Sequence, residues 1–226
     1  MRVLLFGASG MVGQGVLREC LASPDVEEVV CVGRRPLGQS HPKLAELVQD
    51  DVTDLSAIAK ALPKFDACFF PLGVSSAGMK EEEYRKVTHD LTVSVARQLH
   101  TANPGMAFVY VSGAGTDSTE KGRSMWARVK GKTENDLLAL FPKAFMFRPG
   151  LIRPLDGIRS RTQLYNRLYV VLRPIVAVAA KVAPGSMNTT RTVGRAMLTV
   201  ARQGFPKRIL DPKDINEAAA RQADAD

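Results

Sequence analysis

MRVLLFGASGMVGQGVL, residues 1–17, sets a strand, a glycine turn and a helix in immediate succession. Met1 to Phe6 is an apolar run of large and β-branched side chains. It stops at Gly7, and Gly10 and Gly13 follow at three-residue spacing. An apolar helical pattern then begins (Met11, Val12, Val16, Leu17, Cys20, Leu21). A dinucleotide pyrophosphate needs such an order. Gly7 permits the sharp turn, Gly10 lets the backbone approach the phosphates, and Gly13 lets the helix pack on the strand. Ser9, Met11 and Val12 complete the turn, and the helix start offers unpaired N–H groups and a partial positive charge to an anion. The glycine spacing alone is weak; its place between strand and helix makes it specific.

Beyond the turn, strands and helices alternate. Val29 to Val32 is a buried-type strand, Leu47 and Val48 a short one, and Leu55 to Leu62 has helical periodicity. Asp66 to Phe70 is a strand and Glu81 to His100 a long amphipathic helix. Ala107 to Val111, Met125 to Phe141 and Ala144 to Phe147 continue as strand, helix and strand. Near-continuous apolar strands separated by helices predict a doubly wound, Rossmann-type α/β fold: a parallel sheet of about six or seven strands covered on both faces. The chain's 226 residues suit one domain. Residues 1–155 are expected to form the cofactor-binding core and 156–215 a cap on the substrate side, with helices near Thr162 to Ala183 and Thr192 to Gln203 and a strand near Arg208 to Leu210. Residues 216–226 are expected to form a polar, fraying tail.

Bulk properties narrow the classes. The net charge is +8, with basic residues gathered at Arg148, Arg153, Arg159, Arg161, Arg167 and Arg173. No nucleic-acid motif accompanies them, so a phosphate-bearing cofactor and a solvated basic face are the expectation rather than a nucleic-acid partner. Leu168 to Ala183 is interrupted by Arg173, Pro174 and Lys181 and is too short to span a membrane. Cys20, Cys31 and Cys68 fall on core elements as reduced packing residues, and no secretory leader is visible; a cytoplasmic location is expected. His41, His89 and His100 lack ligand spacing, so no metal is expected. Glu81, Glu82 and Glu83 fit an acidic first helical turn, and Tyr84 falls at that solvated helix start. A homodimer through the long helices is compatible with the sequence but not demanded by it.

The second strand selects the dinucleotide. An acidic side chain at its end accepts the adenosine 2′-hydroxyl and repels a 2′-phosphate. Here the strand runs into Gly33-Arg34-Arg35, without an acid. Arg34 and Arg35 are therefore expected to bind the 2′-phosphate of NADP(H), in preference to NAD(H). Asp51 and Val52, after the third strand, are expected to flank the adenine.

Taken together, GASGMVG at 7–13, GRR at 33–35, DDV at 50–52, PLG at 71–73, VSGAG at 111–115, W-x-x-x-K at 126–130 and RPG at 148–150 resemble the short-chain dehydrogenase/reductase superfamily. More narrowly, the chain looks like the atypical NAD(P)-binding group of epimerase/dehydratase-like proteins that includes the Tat-interacting-protein oxidoreductase. The resemblance implies cofactor contacts from Leu72 and Gly73 and, beside the nicotinamide, from Arg148, Pro149 and Gly150. It also implies a catalytic Ser, Tyr and Lys. Ser112 matches the serine that polarises substrate, and Lys130 matches the lysine that holds the nicotinamide ribose. The tyrosine position is Trp126, whose indole N–H donates a hydrogen bond but is no proton-transfer acid near neutrality. Three readings follow: a reductase of a small carbonyl or quinone-like acceptor with a substitute proton source, such as water, Ser112, Tyr165 or Tyr169; a non-catalytic NADP(H)-binding redox-sensing or protein-interaction module; and a nucleotide-sugar epimerase or dehydratase. Asp117, Lys121 and Arg123 sit on the loop after Ser112; loops there often shape a substrate pocket, and the sequence does not choose among the three.

Overall fold

The strands are apolar on both faces because the sheet they form is covered on both. In the computed structural model, which describes residues 1–158 and 187–223, β1 (Arg2–Phe6) is central. It pairs with β2 (Glu28–Gly33) on one side and β4 (Ala67–Phe70) on the other. β3 (Leu44–Val48), β5 (Ala107–Val111), β6 (Ala144–Phe147) and β9 (Ile209–Leu210) complete a seven-stranded sheet of order β3-β2-β1-β4-β5-β6-β9, parallel throughout. β7 (Leu151–Arg153) and β8 (Met187–Thr189) form a separate parallel pair.

The helices are α1 (Met11–Ala22), a 3-10 helix Ser56–Lys64, α2 (Glu81–Arg85), α3 (Leu91–Ala102), α4 (Met125–Leu140), α5 (Thr190–Gln203) and α6 (Pro212–Ala223). Successive strand residues point to opposite faces, so Val3 and Leu5 enter the layer beneath α1, α5 and α6, while Leu4 and Phe6 enter the layer beneath α3 and α4. The second layer is aromatic: Phe6 stacks on Phe70 at 5.0 Å, Phe70 on Phe108 at 5.8 Å and Phe108 on Phe141 at 5.2 Å. The first layer is closed by backbone proximity. A Cβ on Gly15 would fall 2.6 Å from the Thr190 Cβ, and one on Gly194 would fall 2.9 Å from the Glu19 side chain.

Several elements differ from the sequence expectation. The helical pattern at Leu55 to Leu62 folds as a 3-10 helix that contains Pro63, a residue that removes a backbone donor. The long helix from Glu81 is continuous to Ala102 but passes through a π-helical segment, Lys86–Asp90. That segment buries His89, whose ring nitrogens lie 2.6 Å from Asp90 and 2.7 Å from Asp136 of α4. Tyr84, expected at a solvated helix start, is buried.

The C-terminal part is the largest correction. Residues 187–215 are not all cap: α5 buries Val193, Ala196, Met197, Leu198 and Val200 in the first layer, and β9 extends the main sheet. The tail expected to fray from Asn216 is helix α6 as far as Ala223. Ile215, Ala218 and Ala219 recur at helical spacing on its buried face, and the Asn216 amide donates to the Met187 carbonyl. Polar composition concealed a helix whose small apolar face is narrow. The helix expected near Thr162 to Ala183 lies outside the described residues. Among the described residues, no helix is long and apolar enough to cross a membrane.

The loop after β5 is fixed to α4 through Gly131, where an added Cβ would fall 1.8 Å from the Asp117 carbonyl oxygen. Gly131→Ala should therefore lower stability by roughly 1–3 kcal/mol through overpacking, despite the approximately 1 kcal/mol that alanine gains in an isolated helix. Thermal unfolding of the variant checks this; an unchanged or raised Tm would show that the loop is not seated on the helix.

Candidate functional site

The sheet order reverses between β1 and β4, where open parallel sheets leave a crevice at their carboxyl ends. Gly7 sits at this switch point with φ +82°, and a Cβ there would lie 2.7 Å from the Leu72 Cα. The Gly10 N–H donates to the Gly7 carbonyl at 2.9 Å, which tightens the turn. A Cβ on Gly13 would meet that carbonyl oxygen at 2.0 Å. Strand, turn and helix thus approach more closely than any side chain allows. Gly10 has no side chain to cap α1, and the helix's first turn carries no acidic residue. Its leading N–H groups therefore have no intrahelical acceptor and no carboxylate competing for the position. The cradle fits a pyrophosphate: Gly10 is exposed, Ser9, Met11 and Val12 are half-buried at its rim, and Leu72 and the exposed Gly73 form its far wall.

Arg34 and Arg35 leave the end of β2 exposed, and among the described residues neither has an ion-pair partner. The loop after β3 is organised by Asp51. Its carboxylate accepts from the Thr53 hydroxyl at 2.7 Å and the Thr53 N–H at 2.9 Å, and these bonds hold it below the usual carboxylate range. Val52 packs against the aromatic layer, and Gln98 of α3 donates to the Thr53 carbonyl at 2.8 Å.

At the end of β5 the three residues matched to Ser, Tyr and Lys converge, but with different bonding. Lys130 of α4 donates to the carbonyls of Ser112 at 2.8 Å and Val111 at 3.4 Å. Its ammonium lies 5.8 Å from the centroid of the Tyr110 ring. Burial pushes its pKa down to about 8, opposed by the nearby Glu134 carboxylate. One turn earlier, Trp126 lays the edge of its indole against the turn at Gly115, about 3.4 Å from where a Cβ would stand.

The Ser112 hydroxyl points inward. It lies 2.5 Å from Glu134 Oε1 and 3.0 Å from the Phe147 carbonyl. Glu134 is 0% exposed, and Arg148 forks onto it: Nε reaches the two carboxylate oxygens at 3.0 and 3.1 Å, and Nη2 pairs with Oε2. Two of the expected site residues are engaged within the protein. A serine has one proton, and Ser112 directs it to Glu134 rather than towards a substrate oxygen. Arg148, expected as a cofactor ligand, neutralises a buried carboxylate and also donates to Ser118. Pro149 contributes through its backbone, its carbonyl accepting from the Ala114 N–H at 2.9 Å, and Gly150 follows it half-buried.

Glu134 is the residue that sequence reasoning missed. The signal was the continuation of the Trp126–Lys130 helical step by one more turn, onto a face that buries Leu137. Asp117 is not free to line a pocket: its carboxylate accepts from Thr119 and from the Gly122 N–H at 2.6 Å. Tyr165 and Tyr169, and Arg159, Arg161, Arg167 and Arg173, lie outside the described residues. Among the described residues, no group of three or more His, Cys, Asp or Glu side chains is arranged to hold a metal.

Removing one partner of the buried pair should be costly. Arg148→Met should destabilise by about 3–5 kcal/mol, because Glu134 is left charged without a counter-ion. Combining it with Glu134→Gln, which keeps an acceptor for Ser112, should recover much of that loss. Urea unfolding of the two variants measures both; a double variant no more stable than the single would show that the pair is not electrostatically coupled.

Comparison with known proteins places this geometry. Residues 7–137 match the model of a family described as NAD(P)H-binding. The chain is 31% identical over 188 residues to "Protein fmp52-1, mitochondrial" of Aspergillus oryzae, covering 80% of this chain and 76% of that protein. It is 35% identical over 158 residues to "Protein fmp52, mitochondrial" of Aspergillus clavatus, covering 66% of each. A short-chain dehydrogenase/reductase-family oxidoreductase from Burkholderia thailandensis shares the fold, with a TM-score of 0.65 at 17% identity over 89% of this chain and 85% of that one. The mitochondrial relatives overturn the cytoplasmic expectation, which rested on cysteine usage and on the first residues; neither encodes a compartment. The chain belongs to the NAD(P)H-binding family, as a Rossmann protein resembling the short-chain dehydrogenases and related to the fungal fmp52 proteins.

Proposed function

We propose that this protein is an NADP(H)-dependent oxidoreductase acting on a small organic acceptor with a carbonyl or quinone-like group. The observation that carries the reading is the juxtaposition at the switch point: a glycine cradle that excludes Cβ atoms, flanked by two exposed arginines without ion-pair partners. The cradle N–H groups bind the pyrophosphate. Arg34 and Arg35 bind the 2′-phosphate, which a guanidinium fork matches in geometry and charge. Asp51 and Val52 border the adenine, and Leu72, Gly73, Pro149 and Gly150 border the nicotinamide half. Lys130 stands beside the nicotinamide end of this edge. The cofactor, when bound, supplies or accepts the hydride.

Trp126 distinguishes this site from a conventional reductase of the superfamily, because no phenol stands where the proton donor is expected. That residue favours a second reading, in which the protein binds NADP(H) without turnover as a sensing or protein-interaction module. NADPH oxidation against a panel of quinones, aldehydes and ketones separates the two: turnover is expected, and tight binding with no turnover across the panel would establish the second.

Cofactor choice is tested by binding. NADPH should bind more tightly than NADH in a fluorescence titration. Because hydrogen bonds to charged groups contribute about 1.5–3 kcal/mol each, Arg34→Ala with Arg35→Ala should weaken NADPH by about tenfold or more and leave NADH nearly unchanged. Equal loss for both, or tighter NADH binding by the native chain, would remove the assignment.

A further inference from the structure

Among the described residues, three side chains at the end of β5 are candidates to deliver a proton to a substrate oxygen, and two are eliminated by their chemistry or their bonding. Trp126 carries an indole N–H that is not a practical acid. Ser112 has its single proton directed to Glu134, a fully buried carboxylate that Arg148 pairs. Lys130 remains. Two of its three protons meet the Val111 and Ser112 carbonyls, which leaves one more than the backbone uses.

We propose that Lys130 is itself the proton donor of this site, in place of the absent tyrosine, and that Glu134 fixes this assignment by taking the one proton of Ser112. The inference rests on the oxidoreductase reading and names its proton path. A reduced nicotinamide, when bound, would supply the hydride to a carbonyl carbon. The C=O π pair moves onto oxygen, which takes a proton from the Lys130 ammonium and gives an alcohol. Lys130 is left as a neutral amine, and water reprotonates it.

The surroundings suit the role. Tyr110 of β5 presents its ring to the ammonium, with the Tyr84 phenol of α2 near Tyr110; Glu134 of α4 is the nearby carboxylate, held by Arg148 of β6's end. Burial outweighs Glu134 and brings the ammonium down to about 8. The acid form is therefore present below that pH and lost above it.

Two measurements test this on the full-length chain. The first needs no cofactor: the Lys130 side-chain carbon resonance of lysine-labelled protein, assigned with Lys130→Arg, should titrate with a midpoint near 8, apart from the other lysines. The second is NADPH oxidation with an aromatic aldehyde and with a para-quinone. Aldehyde reduction should be level below the midpoint and fall tenfold per pH unit above it. Lys130→Arg keeps the positive charge but does not release a proton. It should lower aldehyde reduction by about a hundredfold or more, the usual weight of a general acid, and abolish the alkaline limb. Quinone reduction, whose product is stable as an anion, should lose much less.

A Lys130 midpoint near the ordinary lysine value overturns the proposal, as does an alkaline limb that survives in Lys130→Arg. Lack of turnover with both acceptors overturns the oxidoreductase reading itself, and is told apart because quinone reduction is then also absent.

Discussion

Glu134 has no exposed surface, and the arrangement of the site follows from how its carboxylate is partnered. A lone carboxylate in such a place would be costly. Here Arg148, from the end of β6, forks onto it, and Ser112, from the end of β5, donates to it. One side chain of α4 thereby joins two neighbouring strand ends at the carboxyl edge of the sheet, where a ligand would sit. The same helix places Lys130 one turn earlier, against the backbone of β5, and Trp126 one turn before that. Lys130 and Glu134, on one helical face, thus set the hydrogen bonding at the ends of β5 and β6.

The other half of the site depends on closeness rather than charge. α1 reaches β1 through glycines, since the Gly7 carbonyl occupies the space where a side chain of residue 13 would be. The same contact aims the start of α1 at the crevice between β1 and β4. Small residues recur where α1 meets α5, at Gly15 and Gly194, so the helix carrying the anion-binding end is seated from both sides. Ion pairs reinforce this packing: Arg195 reaches Glu19 at 3.0 Å, and Arg191 bonds Asp156 at 2.8 Å. Rigidity at the pyrophosphate end and a fixed hydrogen-bond polarity at the opposite end are separate properties of the same sheet edge.

Much of the fold was legible because its signals are local. Ala107–Val111 and Ala144–Phe147 have the bounds that apolar runs gave them, and the glycine turn stands between the strand and helix that flank it. Where local signals were weak or mixed, the reading went astray. Polar residues around Ile215, Ala218 and Ala219 hid α6, whose stability comes from packing on the first core layer rather than from composition. The π-helical turn at His89 reflects carboxylates on either side of the ring, one of them on a different helix.

By itself, the sequence determined a doubly wound parallel sheet and a dinucleotide cradle, since each is written in spacing along one stretch of chain. Only the tertiary structure decided what Ser112 and Arg148 do. Both carry side chains that serve equally well at a ligand or in a core. Which of the two occurs depends on whether a carboxylate from a sequence-distant helix comes within hydrogen-bonding reach, and Glu134 does.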